Sequence, residues 1–137
     1  MMEIVPASKA QQHFDELLDE AIRKPIRIGR RKKEYIAVTT EQLNDLLYFS
    51  PVLEGEPNDY VIFVKEIPQI LGFGNTVDEA VTDLFLALKD YAGLYLSDFD
   101  KYFEVKNTKA HALYVFALEN TDETKFKELI NAELEGA

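Results

Sequence analysis

The chain has 137 residues, 47% of them hydrophobic, no cysteine and a formal net charge of −10. That length allows one domain or two small ones with a packed core, and the absence of cysteine excludes disulfides and thiolate metal sites. The opening Met-Met-Glu-Ile-Val-Pro lacks the basic and apolar regions of a secretory signal, and no apolar run approaches the roughly 20 residues of a membrane helix, so a cytoplasmic chain with no membrane partner is expected.

Glu3 to Val5 reads as a short strand before Pro6. Ser8 is an expected helix N-cap, with Gln11 completing a capping box. Phe14, Leu17, Leu18, Ala21 and Ile22 then fall on one helical stripe. Pro25 ends that helix and opens a hairpin whose strands, Pro25 to Gly29 and Glu34 to Val38, carry β-branched residues at period two. Four consecutive cations, Arg30, Arg31, Lys32 and Lys33, form its turn. All four arginines of the chain (Arg23, Arg27, Arg30, Arg31) lie within nine residues. Thr39 or Thr40 caps a second helix with Leu43, Leu46 and Leu47 as its buried edge. So small a βαββα segment cannot bury a self-sufficient core, and with no staple available it is expected to dimerise.

Residues 1–48 hold eight Lys/Arg and eight Asp/Glu, whereas residues 49–137 hold seven Lys and seventeen Asp/Glu. The first segment is therefore neutral with a basic tip, and the second carries the whole net charge. Such a split suggests two partners of opposite sign. A cationic hairpin doubled by a dimer would gather phosphates by counterion release, and its arginines can fork onto guanine edges.

The pattern Ile4-Val5-Pro6-Ala7-Ser8-Lys9-Ala10, Phe14-x-x-Leu17-Leu18, Pro25-Ile26-Arg27-Ile28-x-Arg30, Tyr35-Ile36-Ala37-Val38, followed by Leu43 and Leu46, resembles the N-terminal domain of the Phd/YefM antitoxins over residues 3–48. The resemblance implies a dimer that binds operator DNA, with Ser8, Lys9, Gln12 and Arg30 among the contacts. Arg27, Arg31, Lys32 and Lys33 join them as candidate DNA-binding residues on charge. Gln11 stands where that family often has a basic residue, and Lys32 where it usually has glycine.

Residues 50–59, with two prolines and a glycine, read as a linker between a first domain (1–49) and a second (60–137). Tyr60 to Val64 is an apolar strand, Pro68 stops it, and Gly72 and Gly74 mark a turn. Thr76 caps a long helix with Glu79 as its capping-box partner and Gly93 as its end. Its stripe is Val77, Val81, Leu84, Leu88 and Tyr91, broadened by Phe85 and Leu86. Glu66-Ile67-Pro68-x-Ile70-Leu71-x-x-Gly74-Asn75-Thr76-Val77-Asp78-Glu79-Ala80-Val81 is similar to the signature of HicB-like antitoxins, over about residues 52–96, with Gln69 replacing the usual glycine. That resemblance implies a partial ribonuclease-H-like fold. In physical terms the motif reads as turn and cap chemistry, glycine for positive φ and threonine for orphan amides. Tyr102 to Lys106 and Ala110 to Leu118 are expected to be strands joined by Asn107-Thr108-Lys109. Asn120 or Thr121 then caps a last helix bearing Phe126, Leu129, Ile130 and Leu134.

A metal-dependent nuclease needs carboxylates converging from strands on two ions. Asp59 and Glu66 only flank the apolar strand, and Asp78, Glu79 and Asp83 sit in the first turns of a helix, where its dipole favours them. His13 and His111 have no partner pattern of base or nucleophile, and Ser8-Lys9 is not a nucleophile–base pair. No catalytic residue, metal site or cofactor is expected.

The combined expectation is an α+β chain. Its first part is a Phd/YefM-like dimerising domain, and its second is a HicB-like acidic α+β domain with a C-terminal helix. The implied function is that of a type II antitoxin which binds a cognate toxin within residues 50–137 and represses its own operon. The partners implied are operator DNA, a toxin (a small basic ribonuclease-like protein) and a second copy, as a homodimer or higher even oligomer. The competing reading is a DNA-binding transcriptional regulator whose C-terminal domain senses a ligand or only dimerises.

Overall fold

Ile26 and Ile28 set the first strands, because a β-branched run flanked by cations is stable only when one of its faces is covered. In the computed structural model, which describes residues 3–136, they lie in β2 (Ile26–Arg30). β2 pairs in parallel with β1 (Ile4–Pro6) and antiparallel with β3 (Lys33–Ala37), giving a three-stranded sheet. The parallel pair requires a crossover. It is supplied by α1 (Ala7–Gln12) and α2 (Phe14–Ala21), and α3 (Thr40–Leu46) closes the first unit, which ends at Leu46.

Three local expectations change here. The first helix starts at Ala7 behind Pro6 with no side-chain cap, so Ser8 does not serve as N-cap, and the helix breaks at His13. The hairpin turn is two residues rather than four. Arg30 and Lys33 are a cross-strand pair, and Arg31 and Lys32 turn the chain with φ of 51° and 65°. Two successive left-handed residues are the geometry of the primed turn that matches strand twist, normally built from Asn and Gly. In the second helix Leu46 is exposed and Asn44 is buried. Thr39 and Gln42 make its capping box, the Gln42 amide N–H donating to Thr39 Oγ1 and the Thr39 N–H to Gln42 Oε1, both at 3.1 Å. Gln42 Nε2 also donates to the carbonyl of Ala21 at 2.8 Å, tying the start of α3 to the end of α2.

The turn yields a first prediction. A side chain in the left-handed region costs about 1 kcal/mol relative to glycine. Lys32→Gly is therefore expected to raise the stability of the first unit by about that amount, read as a higher denaturant midpoint at fixed protein concentration.

The second unit begins at Leu47. Its sheet is a meander of β4 (Pro51–Glu56), β5 (Asp59–Val64) and β6 (Ile67–Gly74). Residues 50–59 are thus a strand and a hairpin turn, not a linker. Pro51 occupies the first position of an edge strand, where its missing N–H is tolerated, and Pro57-Asn58 make the turn, with Asn58 at φ 74°. Ile62, Val64 and Ile67 face inward, fully buried.

Against them lies α4 (Val77–Ser97), which buries Ala80, Val81, Leu84, Phe85, Leu88, Ala92 and Tyr95. Thr76 Oγ1 accepts from the Glu79 N–H at 3.1 Å, while Glu79 Oε2 accepts from the Asn75 N–H at 2.9 Å. The helix runs straight through Gly93. Gly72 and Gly74 are strand residues without positive φ, so the expected turn is absent. A Cβ on Gly72 would stand 2.5 Å from the carbonyl oxygen of Ala80, and one on Gly74 would stand 2.4 Å from the amide nitrogen of the same residue. These glycines let β6 lie directly on the backbone of α4.

Where strands were expected at Tyr102 to Lys106 and Ala110 to Leu118, the chain instead forms short helices: α5 (Phe99–Glu104), α6 (Lys106–Lys109) and α7 (Ala112–Glu119). A run apolar at nearly every position carries no period, and helix and strand cannot be separated on it. α7 buries Ala112, Val115, Ala117 and Leu118, three of them at helical spacing. Lys89 Nζ reaches its C-terminal carbonyls, donating to Leu118 O at 2.9 Å and to Glu119 O and Thr121 O at 3.3 Å, which places a cation on the negative end of the helix. The last helix, α8 (Glu123–Gly136), is capped by Asp122, whose Oδ1 accepts from the Lys125 N–H at 2.8 Å. Neither Asn120 nor Thr121 holds that position, and the Thr121 hydroxyl donates instead to Ala117 O. Phe126 and Ile130 are fully buried, Leu134 is partly so, and Leu129 is exposed.

His111, at the head of α7, is buried, with Nδ1 2.6 Å from the Tyr91 hydroxyl. Burial holds the imidazole below its usual pKa and pushes the Tyr91 hydroxyl up to about 12. A base with a lowered folded pKa favours the folded state fully above its ordinary value near 6.5. That stability is lost as pH falls below this value. The thermal midpoint of the second unit is expected to fall between pH 7 and pH 5, and His111→Gln to flatten that slope.

Candidate nucleic-acid interface

The basic cluster is presented by local chain geometry. β2 carries Arg27 on the face opposite Ile26 and Ile28 and ends at the exposed Arg30, and the left-handed pair then throws Arg31 and Lys32 off the end of the sheet. Arg30, Arg31, Lys32 and Lys33 are all exposed. Like charges facing each other across a ladder destabilise it, and Arg30 opposite Lys33 is such a pair. A hairpin that concentrates cations in this way has a strong local field to offer an anion.

The candidate residues fall in four places. Ser8 and Arg30 line one hollow of 640 Å³ together with Pro6, Ala7, Gln11 and Gly29, so the start of α1 and the end of β2 form one recess. Gln11 shares it, although sequence reasoning placed Gln12 at the interface. Gln12 lines a separate shallow hollow with Gln11, His13, Phe14, Asp15 and Glu16. Gln11 stands three residues after Ser8, one helical turn along the same face, which is why the two line one hollow.

Lys9 and Arg27 fall elsewhere, in a 360 Å³ groove floored by Val5, Ala10, Leu17 and Ile26 and rimmed also by Glu3, Glu16, Glu20 and Lys24. The rim mixes both signs. Arg27 Nε donates to Glu34 Oε1, and this bond raises the Arg27 pKa and lowers that of Glu34. Glu34 lies diagonally opposite Arg27 on β3, a partner that charge counting along the chain does not reveal. The exposed group on the hairpin end is therefore Arg30 to Lys33.

Four of the five carboxylates weighed as nuclease ligands have structural partners, Glu79 in the helix cap already described. Glu66 Oε1 accepts from the Ser50 N–H at 2.6 Å, Asp83 Oδ2 from the Phe73 N–H at 2.8 Å, and Asp78 pairs with Lys127 at 3.2 Å. Among the described residues no group of three or more His, Asp or Glu side chains is placed to hold a metal ion. His13 is exposed, 3.8 Å from Glu16.

Residues 1–132 match a family model, PHD-like, described as antitoxin of toxin–antitoxin, RelE/RelB, TA system. The chain also matches the crystal structure of a protein described as an antitoxin, from Syntrophomonas wolfei subsp. wolfei. The two share 22% sequence identity at a TM-score of 0.72, over 94% of this chain and 96% of that one, a likeness of fold. No curated protein matches. Among the described residues no helix is long and apolar enough to cross a membrane. With the family model spanning nearly its whole length, the chain belongs to this PHD-like family of toxin–antitoxin antitoxins, non-enzymatic regulatory proteins whose partner is a toxin.

Proposed function

We propose that this antitoxin neutralises its cognate toxin by direct binding and represses its own operon by binding operator DNA as a homodimer or higher even oligomer in the cytoplasm. The first unit acts as a Phd/YefM-like DNA-binding and dimerising domain. The second acts as a HicB-like acidic domain that holds a small basic ribonuclease-like toxin.

The observation carrying the DNA half is the exposed four-cation end of the β2–β3 hairpin, beside the Ser8–Arg30 hollow. A chain of net charge −10 that places four of its fifteen Lys/Arg at one hairpin end offers an anionic partner a site there. Support for dimerisation comes from the small core of the first unit. Among the described residues Ala10, Leu17, Ala21 and Ile26 form its buried cluster, while Phe14, Leu18 and Ile22 are left exposed. Support for toxin binding comes from the second unit, whose seventeen Asp/Glu against seven Lys steer association with a basic protein.

The test is a titration of the full-length protein against its own upstream DNA at several salt concentrations, beside Arg30→Ala/Arg31→Ala. In a dimer the double variant removes four cations. At about 0.9 per phosphate, the slope of log affinity against log salt is expected to flatten by roughly 3 to 4, with affinity near 0.1 M salt down ~100-fold. An unchanged slope would refute the hairpin as the DNA reader.

A further inference from the structure

The meander of the second unit is covered by helix on one face only. Leu53, Tyr60 and Ile70 turn into the core, so their strand neighbours turn away from it. Glu54, Val61 and Phe73 stand opposite one another across the three strands, and Val52 stands opposite Phe63 in the next row. Leu71 follows two residues from Phe73, on the same side. Phe73 is 59% exposed and Leu71 41% exposed. This face is thus an apolar stripe in which Leu71 and Phe73 are exposed and Val52, Val61 and Phe63 are half-buried. At its hairpin end stand the exposed carboxylates of Glu54, Glu56 and Asp59, with Glu56 and Asp59 paired in register. Lys65 follows at the far end of β5.

We propose that this open sheet face is the surface that grips the toxin, taking a basic amphipathic segment whose apolar side covers Phe63, Leu71 and Phe73 and whose cations meet Glu54, Glu56 and Asp59. The inference rests on the reading that neutralisation is by direct binding. Charge selects the occupant. A second copy would bring two units, each with ten more carboxylates than cations, face to face. Nucleic acid is repelled by the same field. A basic protein segment satisfies both parts of the face at once, since its apolar contacts supply affinity at the centre and its cations supply steering and register at the rim. The stripe also fits the usual anatomy of a non-obligate interface, with aromatic side chains at the centre and charge at the margin.

The experiment titrates the full-length protein with the purified toxin encoded beside it, at low and high salt. Phe73→Glu is expected to weaken the complex ~100-fold, as loss of a central aromatic anchor does. Glu54→Lys/Glu56→Lys is expected to slow association ~10-fold at low salt, a difference that closes at high salt. Leu113→Glu, at an equally exposed apolar position on α7, is the control and binds like the wild type. Thermal midpoint and elution volume stay those of the wild type throughout. Leu71→Glu replaces Phe73→Glu if that variant misfolds. Wild type that binds while Phe73→Glu and Leu71→Glu bind equally well removes the surface alone. Phe73→Glu that halves the mass of the free protein assigns the face to a second copy. Wild type that does not bind the toxin removes the direct-binding reading and this surface together.

Discussion

Gly72→Ala lowers the stability of the second unit by about 3 kcal/mol or more, whereas Gly93→Ala, the same chemical change in the same unit, raises it by about 0.5–1 kcal/mol. The opposite signs follow from what each new methyl would meet. At Gly72 it would stand 2.5 Å from Ala80 O, 2.5 Å from Leu84 N and 2.6 Å from Leu84 Cβ. Two of these neighbours are backbone atoms of α4, which cannot swing aside, so strand and helix must separate. Their separation opens the layer where Ile62, Val64, Leu84 and Leu88 are fully buried. At Gly93, on the exposed side of α4, nothing lies within 4 Å, and alanine only reduces the conformational freedom of the unfolded chain. The pair is measured by denaturant titration of the helical signal at 222 nm. If Gly72→Ala unfolds at the wild-type midpoint, β6 does not lie on α4 as described.

These glycines also show where sequence reading stopped. Thr76 and Glu79 were legible as a helix start because capping is chemistry between residues three apart. The role of Gly72 depends on a helix that approaches it from eight residues further on, and local rules offered only the turn. Composition misled at Pro51 to Asp59, where prolines that usually mark a linker occupy the first residue and the turn of a hairpin. Over Ala110 to Leu118 no period existed to be read, and the helix is settled by packing on α4. At the candidate site the basic turn was legible as a run of four charges. Two things were hidden, the diagonal Glu34 that takes Arg27 and the folding of α1 against β2 that brings Gln11, rather than Gln12, to Arg30. Local rules located the cations, and long-range pairing decided which of them are exposed together.

In the proposed operator-binding dimer, Leu18→Glu should separate the protomers and with them remove most of the operator affinity. α2 packs Leu17 and Ala21 inward and leaves Phe14, Leu18 and Ile22, at spacings of four, exposed at 56%, 46% and 68%. Three large apolar side chains in a row on a unit whose buried cluster includes two alanines form a helical ridge without a mate. Packing two such ridges buries both and supplies the core that the unit lacks. A carboxylate at the middle position would face its symmetry copy across that seam, uncompensated, while in the monomer it stands in water and leaves the fold intact. Two hairpins held at fixed separation bind neighbouring half-sites as one event, so losing the dimer is expected to lower operator affinity ~100-fold even with every hairpin cation present. Sedimentation and DNA titration together separate this from the hairpin variant. Arg30→Ala/Arg31→Ala stays dimeric and flattens the salt dependence, whereas Leu18→Glu halves the mass. A Leu18→Glu protein that keeps its mass but loses DNA would place α2 against the duplex instead. One that keeps both would leave the ridge without a role in either partner.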